Sequence, residues 1–168
     1  MGEIKNLISA EAIDKIKKIA MAADIALFTT NLSKIPLATR PMGTLDVDDE
    51  GNLWFLSKNE SDKNRDISYD NQVQLFYSNK SGGEYLSIYG RAQILTDRAK
   101  IEQYWTPLAK AWFKEGKDDP TITLLRVVPA DVYYWDTKEN KLITLVKIAF
   151  SAVTGSSVDV GIEGKIKV

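Results

Sequence analysis

Arg40, Ser57, Ser61 and Lys63 have the chemistry of an anion site. Arg40 closes one strand-like run, Ser57 ends the next, and Ser61 and Lys63 flank the turn into a helix. Free backbone N–H groups at a helix start, two hydroxyls and one ammonium make a phosphate cradle. A guanidinium adds a bidentate partner. Trp54, Phe55 and Leu56 lie beside the cradle on the same strand, where their main chain and faces can border a flat aromatic ligand. A phosphate at one end and a planar ring at the other describe a mononucleotide such as FMN. The same residues have a plainer reading. Ser and Asp before a short helix are ordinary caps, and Trp54 and Phe55 on a strand serve as core or dimer interface.

Composition narrows the chemistry further. The 168 residues include 22 Lys plus Arg, 23 Asp plus Glu, no His and no Cys, for a net charge of −1. There is no thiol nucleophile, zinc-thiolate cluster or His-based triad. The near-zero charge argues against a phosphate-backbone binder and so against a nucleic-acid partner. Any redox chemistry has to come from a borrowed cofactor. Neither a dinucleotide-binding glycine pattern nor a P-loop is present, and Gly161-Ile162-Glu163-Gly164-Lys165 has the wrong spacing for one. The acidic run Asp46–Glu50 lacks the ligand spacing of a calcium loop and reads as a hairpin turn. No apolar run reaches the roughly 20 residues of a membrane span, no signal peptide is evident, and a cytoplasmic location is expected.

The elements that must position these residues follow from periodicity. Ala12, Ile16, Ile19, Ala20 and Ala23 make one apolar helix face, with Ser9 as candidate cap. Strands are expected at 25–30, 35–42, 53–57, 73–78 and 84–96, the first three as a meander, with Gly90 marking a bulge or close backbone approach. Ser61 or Asp62 opens a short helix, and Asp97 or Thr96 caps another to Tyr104. Residues 105–120, broken by Pro107, Gly116 and Pro120, read as a second helix and an irregular loop. Pro129 divides two strands at 122–128 and 132–135, and 142–150 reads as a last strand. The expected architecture is mainly β: one domain over 1–168, an antiparallel barrel with flanking helices and peripheral termini at 1–8 and 151–168.

Several stretches carry a family resemblance. They are Thr39-Arg40-Pro41-Met42, Leu53-Trp54-Phe55-Leu56-Ser57, Ser61-Asp62-Lys63-Asn64, Ile88-Tyr89-Gly90-Arg91-Ala92, Tyr104-Trp105-Thr106-Pro107, Ala111-Trp112-Phe113, Glu115–Pro120 and Tyr134-Trp135-Asp136. Over roughly residues 10–155 the chain resembles the pyridoxamine-phosphate-oxidase-like FMN-binding split barrels, most closely their bacterial general stress protein branch. The resemblance implies a six-stranded split barrel that forms a homodimer, with FMN in grooves at the interface. It implies that Arg40, Ser57, Ser61 and Lys63 meet the phosphate, and that Pro41, Met42, Trp54, Phe55 and Leu56 line the flavin ring. Trp105, Trp112 and Phe113 would sit near the groove, or equally form a helix face packed on the barrel.

The departures are specific. Asp62 stands where the oxidases carry an Arg, Leu45 where they carry a Lys, and Tyr85 where they carry a Gln. The Arg–His pair that holds their substrate has no counterpart in a chain without His, which argues against oxidation of pyridoxine phosphate. Two classes of function follow. One is a flavin-dependent oxidoreductase, with NAD(P)H or a small molecule as electron partner. The other is a flavin-binding reservoir or sensor without turnover. Tyr89, Tyr104 and Arg91 are the acid–base candidates, with structural roles as the alternative. A haem-handling barrel would be expected to offer a His ligand, and none exists.

Overall fold

A computed structural model describes residues 3–5, 7–8, 10–137 and 161–167. The expected cap Ser9 and the expected strand at 142–150 lie outside them. The strands are β1 (Glu3–Ile4), β2 (Leu7–Ile8), β3 (Ile25–Thr30), β4 (Ala38–Gly43), β5 (Asp46–Val47), β6 (Leu53–Lys58), β7 (Gln72–Asn79), β8 (Glu84–Leu95), β9 (Ile122–Thr137) and β10 (Gly161–Lys167). The helices are α1 (Ala10–Ala23), α2 (Asp62–Tyr69) and α3 (Arg98–Tyr104), followed by two 3-10 turns, Pro107–Ala111 and Gly116–Asp118. The 105–120 stretch therefore holds 3-10 turns where a helix was expected. Pro107 supplies no N–H, and Gly116 turns the chain at a positive φ of 70°.

The long strands form one curled antiparallel sheet, a half-barrel, in the order β4-β3-β7-β8-β9, with β6 on the far side of β9. The first three expected strands do not form a simple meander. β3 and β4 pair as a hairpin, but β6 pairs along its whole length with β9. β4 and β6 come close without a ladder between them. Such a pairing of distant segments leaves no trace in local periodicity. β10 adds to the free edge of β9, and the two-residue strands β1 and β2 join it in parallel. That places Gly161–Lys167, part of a tail without evident pattern, inside the sheet, with Ile166 buried. Ten strands are present among the described residues, against the six expected.

Alternation decides the interior. Phe28, Leu53, Phe55, Val73, Leu75, Leu86, Ile88, Leu125 and Val127 point into the hollow of the sheet and form one core with the buried face of α1. Phe28 and Phe55 meet edge to face at 5.2 Å and 87°, an arrangement worth about 0.5–1.5 kcal/mol beyond the area buried. The lysines off the apolar face of α1 tie it to the sheet through Lys15–Asp136 at 2.5 Å and Lys18–Glu84 at 2.7 Å. On the opposite face of β6 and β9 a second core collects Trp54, Ile101, Ala109, Phe113, Ile122 and Leu124 under α3 and the 3-10 turns.

Pro129 does not end its strand. β9 runs unbroken from Ile122 to Thr137, and the ladder with β8 shifts register between Tyr89 and Gly90, where Gly90 faces Pro129. A β-bulge absorbs the missing donor. It also needs the glycine, because a Cβ at position 90 would be driven into the Val128 carbonyl oxygen and stand 3.1 Å from its carbon and 3.2 Å from Pro129 Cα. Gly90→Val should therefore cost about 1–3 kcal/mol, read as a lower denaturant midpoint. An unchanged midpoint would mean that the two backbones can part freely there.

Candidate functional site

The split between β4 and β6 is where the anion-site residues converge. The inward side of β4 carries Ala38, Arg40 and Met42, half-buried, and its outward side exposes Thr39, Pro41 and Gly43. β6 ends at Ser57 and Lys58, and the turn after it leads into α2. Ser61 caps α2, its Oγ accepting from the Asn64 N–H at 3.3 Å. Asp62 is exposed in the first turn and pairs with Arg65 at 3.0 Å.

The two serines are joined in a buried network. Ser57 Oγ donates to Asn64 Oδ1 at 2.6 Å and lies 3.2 Å from Ser61 Oγ. The Asn64 amide donates to Thr123 Oγ1 at 2.9 Å, whose hydroxyl donates to the Ser57 carbonyl at 3.1 Å. The network pins the start of α2 to β6 and β9. Arg40 reaches across β3: Nη1 donates to Thr30 Oγ1 at 2.7 Å, and Nη2 lies 3.9 Å from Asp66 Oδ2. Periodicity and capping did not single out Thr30, Asn64, Asp66 or Thr123, because polar residues on a strand or a short helix carry no signal until the chain is folded.

Lys63 makes no hydrogen bond or ion pair with any described residue. Burial lowers its pKa below the ordinary ammonium value, and the neighbouring Arg40 charge lowers it further, against a smaller opposing effect of Asp62. Burial also lowers the Arg40 pKa, opposed by Asp66 and Asp62. Two adjacent cations, each losing solvation, are a costly arrangement in isolation and a favourable one around an anion.

The other candidates divide by face. Trp54 is 1% exposed and belongs to the second core: its indole N–H donates to Asp48 Oδ2 at 2.9 Å, Tyr104 stacks on it at 5.2 Å, and Lys100 lies 4.5 Å over its ring. Phe55 is 0% exposed inside the half-barrel. Neither ring faces the split. Leu56 packs against the second core, but its main chain differs from theirs. Asp48 bonds Asn52 and Leu45 bonds Trp54 on one edge of β6, while Asn59 bonds Thr121 on the other. Alternation then turns the Leu56 N–H and C=O toward the split, past the end of β5, where no described strand pairs with them.

Trp105 lies 6.2 Å from Phe113, and Lys58 Nζ sits 5.9 Å over the Phe113 ring. This segment covers the face of β6 opposite Ser57. Trp112, beside it, is 66% exposed. Leu45 packs into the same apolar core. Tyr89 bonds Gln72 and Tyr104 stacks on Trp54, so both phenols have structural partners, while Arg91 is exposed. Among the described residues no group of His, Cys, Asp or Glu forms a metal site, and no helix is long and apolar enough to cross a membrane.

A curled antiparallel half-barrel, open at one seam and flanked there by a cationic pair, is a split barrel. The model of the family described as pyridoxamine 5'-phosphate oxidase like matches residues 11–159, and the chain belongs to that family. It is 26% identical over 155 residues to protein bli-3 of Neurospora crassa, spanning 86% of this chain and 74% of that one. The fold is similar to that of general stress protein 26 of Jannaschia sp. CCS1, with a TM-score of 0.74, 23% identity, and coverage of 94% of this chain and 96% of that one. It is also similar to the general stress FMN/FAD binding protein of Xanthomonas citri, at TM-score 0.66 and 23% identity over 77% of this chain and 92% of that one. The resemblance read from Thr39–Met42, Leu53–Ser57 and the segments after them is borne out at the level of family and fold.

Proposed function

We propose that this protein binds flavin mononucleotide at the seam between β4 and β6 and works as a flavin-dependent oxidoreductase. The observation that carries the reading is Lys63, a half-buried ammonium without a hydrogen-bond or ion-pair partner among the described residues, set against the Arg40 guanidinium. A phosphate is the ligand that such a pair, with the capped start of α2, would hold. The unpaired N–H and C=O of Leu56 offer the donor and acceptor that the polar edge of a flavin ring requires. Met42 on the facing strand offers an apolar contact. A relative in fold that is itself named FMN/FAD binding supports the choice of ligand.

The flavin would supply hydride or electron transfer. The chain's own part is to hold the phosphate, present main-chain partners to the ring and leave one face open to the electron partner. Absorption in the visible region after titration with FMN tests the binding. Bleaching of that band by NADH or NADPH at a catalytic rate tests the oxidoreductase. A titratable flavin that neither nucleotide bleaches would favour the reservoir.

The working unit in this proposal is a homodimer. On the outer sheet face Ile25, Leu27, Phe76, Tyr85 and Trp135 are between 41% and 50% exposed and line a hollow of about 450 Å³. Apolar patches of this kind mark association surfaces. Leu27 pairs with Phe76 on one side and Pro41 on the other, so the patch runs to the rim of the seam. A second copy seated there would border the site. Dilution of the holoprotein to monomer should then release FMN, read as a rise in free-flavin fluorescence. A monomer that keeps its flavin would remove the partner from the site.

A further inference from the structure

We propose that Thr30 and Asp66 are positioning residues for the Arg40 guanidinium, holding it ready for the phosphate. This inference rests on the reading that the seam binds a phosphate.

The proton bookkeeping fixes the arrangement. Asp66 is a carboxylate and only accepts, so the single O–H of Thr30 is spent on Asp66 Oδ2, at 2.6 Å. The Thr30 oxygen is then left as an acceptor, and Arg40 Nη1 donates to it at 2.7 Å. A longer contact of 3.5 Å runs from the same nitrogen to the Phe28 carbonyl. Asp66 Oδ2 stands 3.9 Å from Nη2 and backs it with charge. Thr30 is fully buried, so this chain of donors is shielded from competing water.

Three elements meet here. Arg40 comes from β4, Thr30 from the end of β3, and Asp66 from the second turn of α2. Lys63 lies one turn before Asp66 on the same helix, so the face that fixes the guanidinium also carries the unpaired ammonium. With one nitrogen held on Thr30 and another backed by Asp66, the guanidinium cannot swing away from Lys63, and its remaining N–H groups are available to an anion. A side chain ordered before binding does not lose its rotamer freedom on binding. Arg40 held this way should bind phosphate up to about tenfold more tightly than a loose one.

The test is the ratio of FMN to riboflavin affinity, measured by quenching of flavin fluorescence in wild type, Thr30→Val, Thr30→Ser and Asp66→Asn. Riboflavin lacks the phosphate, so the ratio isolates the phosphate contribution from any general loosening of the fold. Thr30→Val should lower the ratio by about five- to tenfold, and Thr30→Ser, which keeps the hydroxyl, should restore it. In an Arg40→Ala background Thr30→Val should leave the ratio unchanged, because there is nothing left to position. Asp66→Asn also removes a negative charge near the phosphate, so its ratio is read only against that same Arg40→Ala background, where any gain from the lost charge persists. An unchanged ratio in Thr30→Val, or an equal fall in the Arg40→Ala background, overturns the positioning role. A wild-type protein that binds FMN no better than riboflavin overturns instead the phosphate reading beneath it. Should Thr30→Val fail to fold, the Asp66→Asn pair decides: equal ratio changes with and without Arg40 overturn the proposal.

Discussion

Lys63→Ala should weaken FMN binding by about tenfold or more and leave riboflavin binding within about twofold. A charge-assisted hydrogen bond is worth about 1.5–3 kcal/mol, which converts to a factor of ten or more in affinity. The riboflavin arm matters because, in the proposed site, the phosphate is the part of the ligand that meets the ammonium. pH gives an independent check. Burial and Arg40 lower the Lys63 pKa in the ligand-free protein. The ammonium is then lost at a lower pH than an ordinary lysine, and the FMN-to-riboflavin ratio should decline as pH rises toward the normal lysine range near ~10.4.

The stability of the ligand-free protein should move the other way. Between the lowered folded value and the ordinary unfolded one, the unfolded chain keeps a proton that the folded chain has released, so Lys63 makes stability rise with pH in that window. Lys63→Met removes both the rise and the decline. An FMN affinity that Lys63→Ala leaves unchanged would take Lys63 out of the site, and the anion-site reading would then rest on Arg40 alone.

The second large effect is on stability. Phe55→Ala should cost about 3–5 kcal/mol, the range for deleting a fully buried aromatic ring, with loss of its edge-to-face contact with Phe28 included. Trp54→Ala should fall in the same range, since its ring is packed under Tyr104 and Lys100 and its N–H is bonded to Asp48. Phe55→Leu, which preserves most of the volume, should cost less than about 1.5 kcal/mol and leave FMN affinity within about twofold. Denaturant titration gives the first number and flavin fluorescence the second. A Phe55→Leu protein of near-normal stability that has lost flavin would show that the ring reaches the cofactor after all.

These two outcomes also measure how much was legible before folding. Arg40, Ser57, Ser61 and Lys63 stood out because their types and their placement around a strand-to-helix turn are chemically specific. The structure brings all four to the β4–β6 seam, with Ser57 and Ser61 3.2 Å apart. Trp54, Phe55 and Leu56 stood out as neighbours of that site, yet a strand sends consecutive side chains to opposite faces. Trp54 goes outward under α3, Phe55 inward onto Phe28, and Leu56 contributes to the seam through its main chain. Adjacency in sequence gave no means of telling these three roles apart.

Local chemistry determined the elements of this protein. Ile25–Thr30 forms its strand on the β-branched and aromatic pattern, and Ser61 and Asp97 cap their helices through side-chain oxygens. Each depends on contacts within a few residues. What only the tertiary structure decided was pairing at a distance. β6 bonds to β9 and not to β4, which opens the seam. Pro129 continues its strand because β9 itself bulges at Ala130, between the residues that face Tyr89 and Gly90. Thr30 and Asp66, 36 residues apart, meet on one guanidinium. Such partners are selected by the burial of the whole sheet, an energy summed over many residues that no short window of sequence contains.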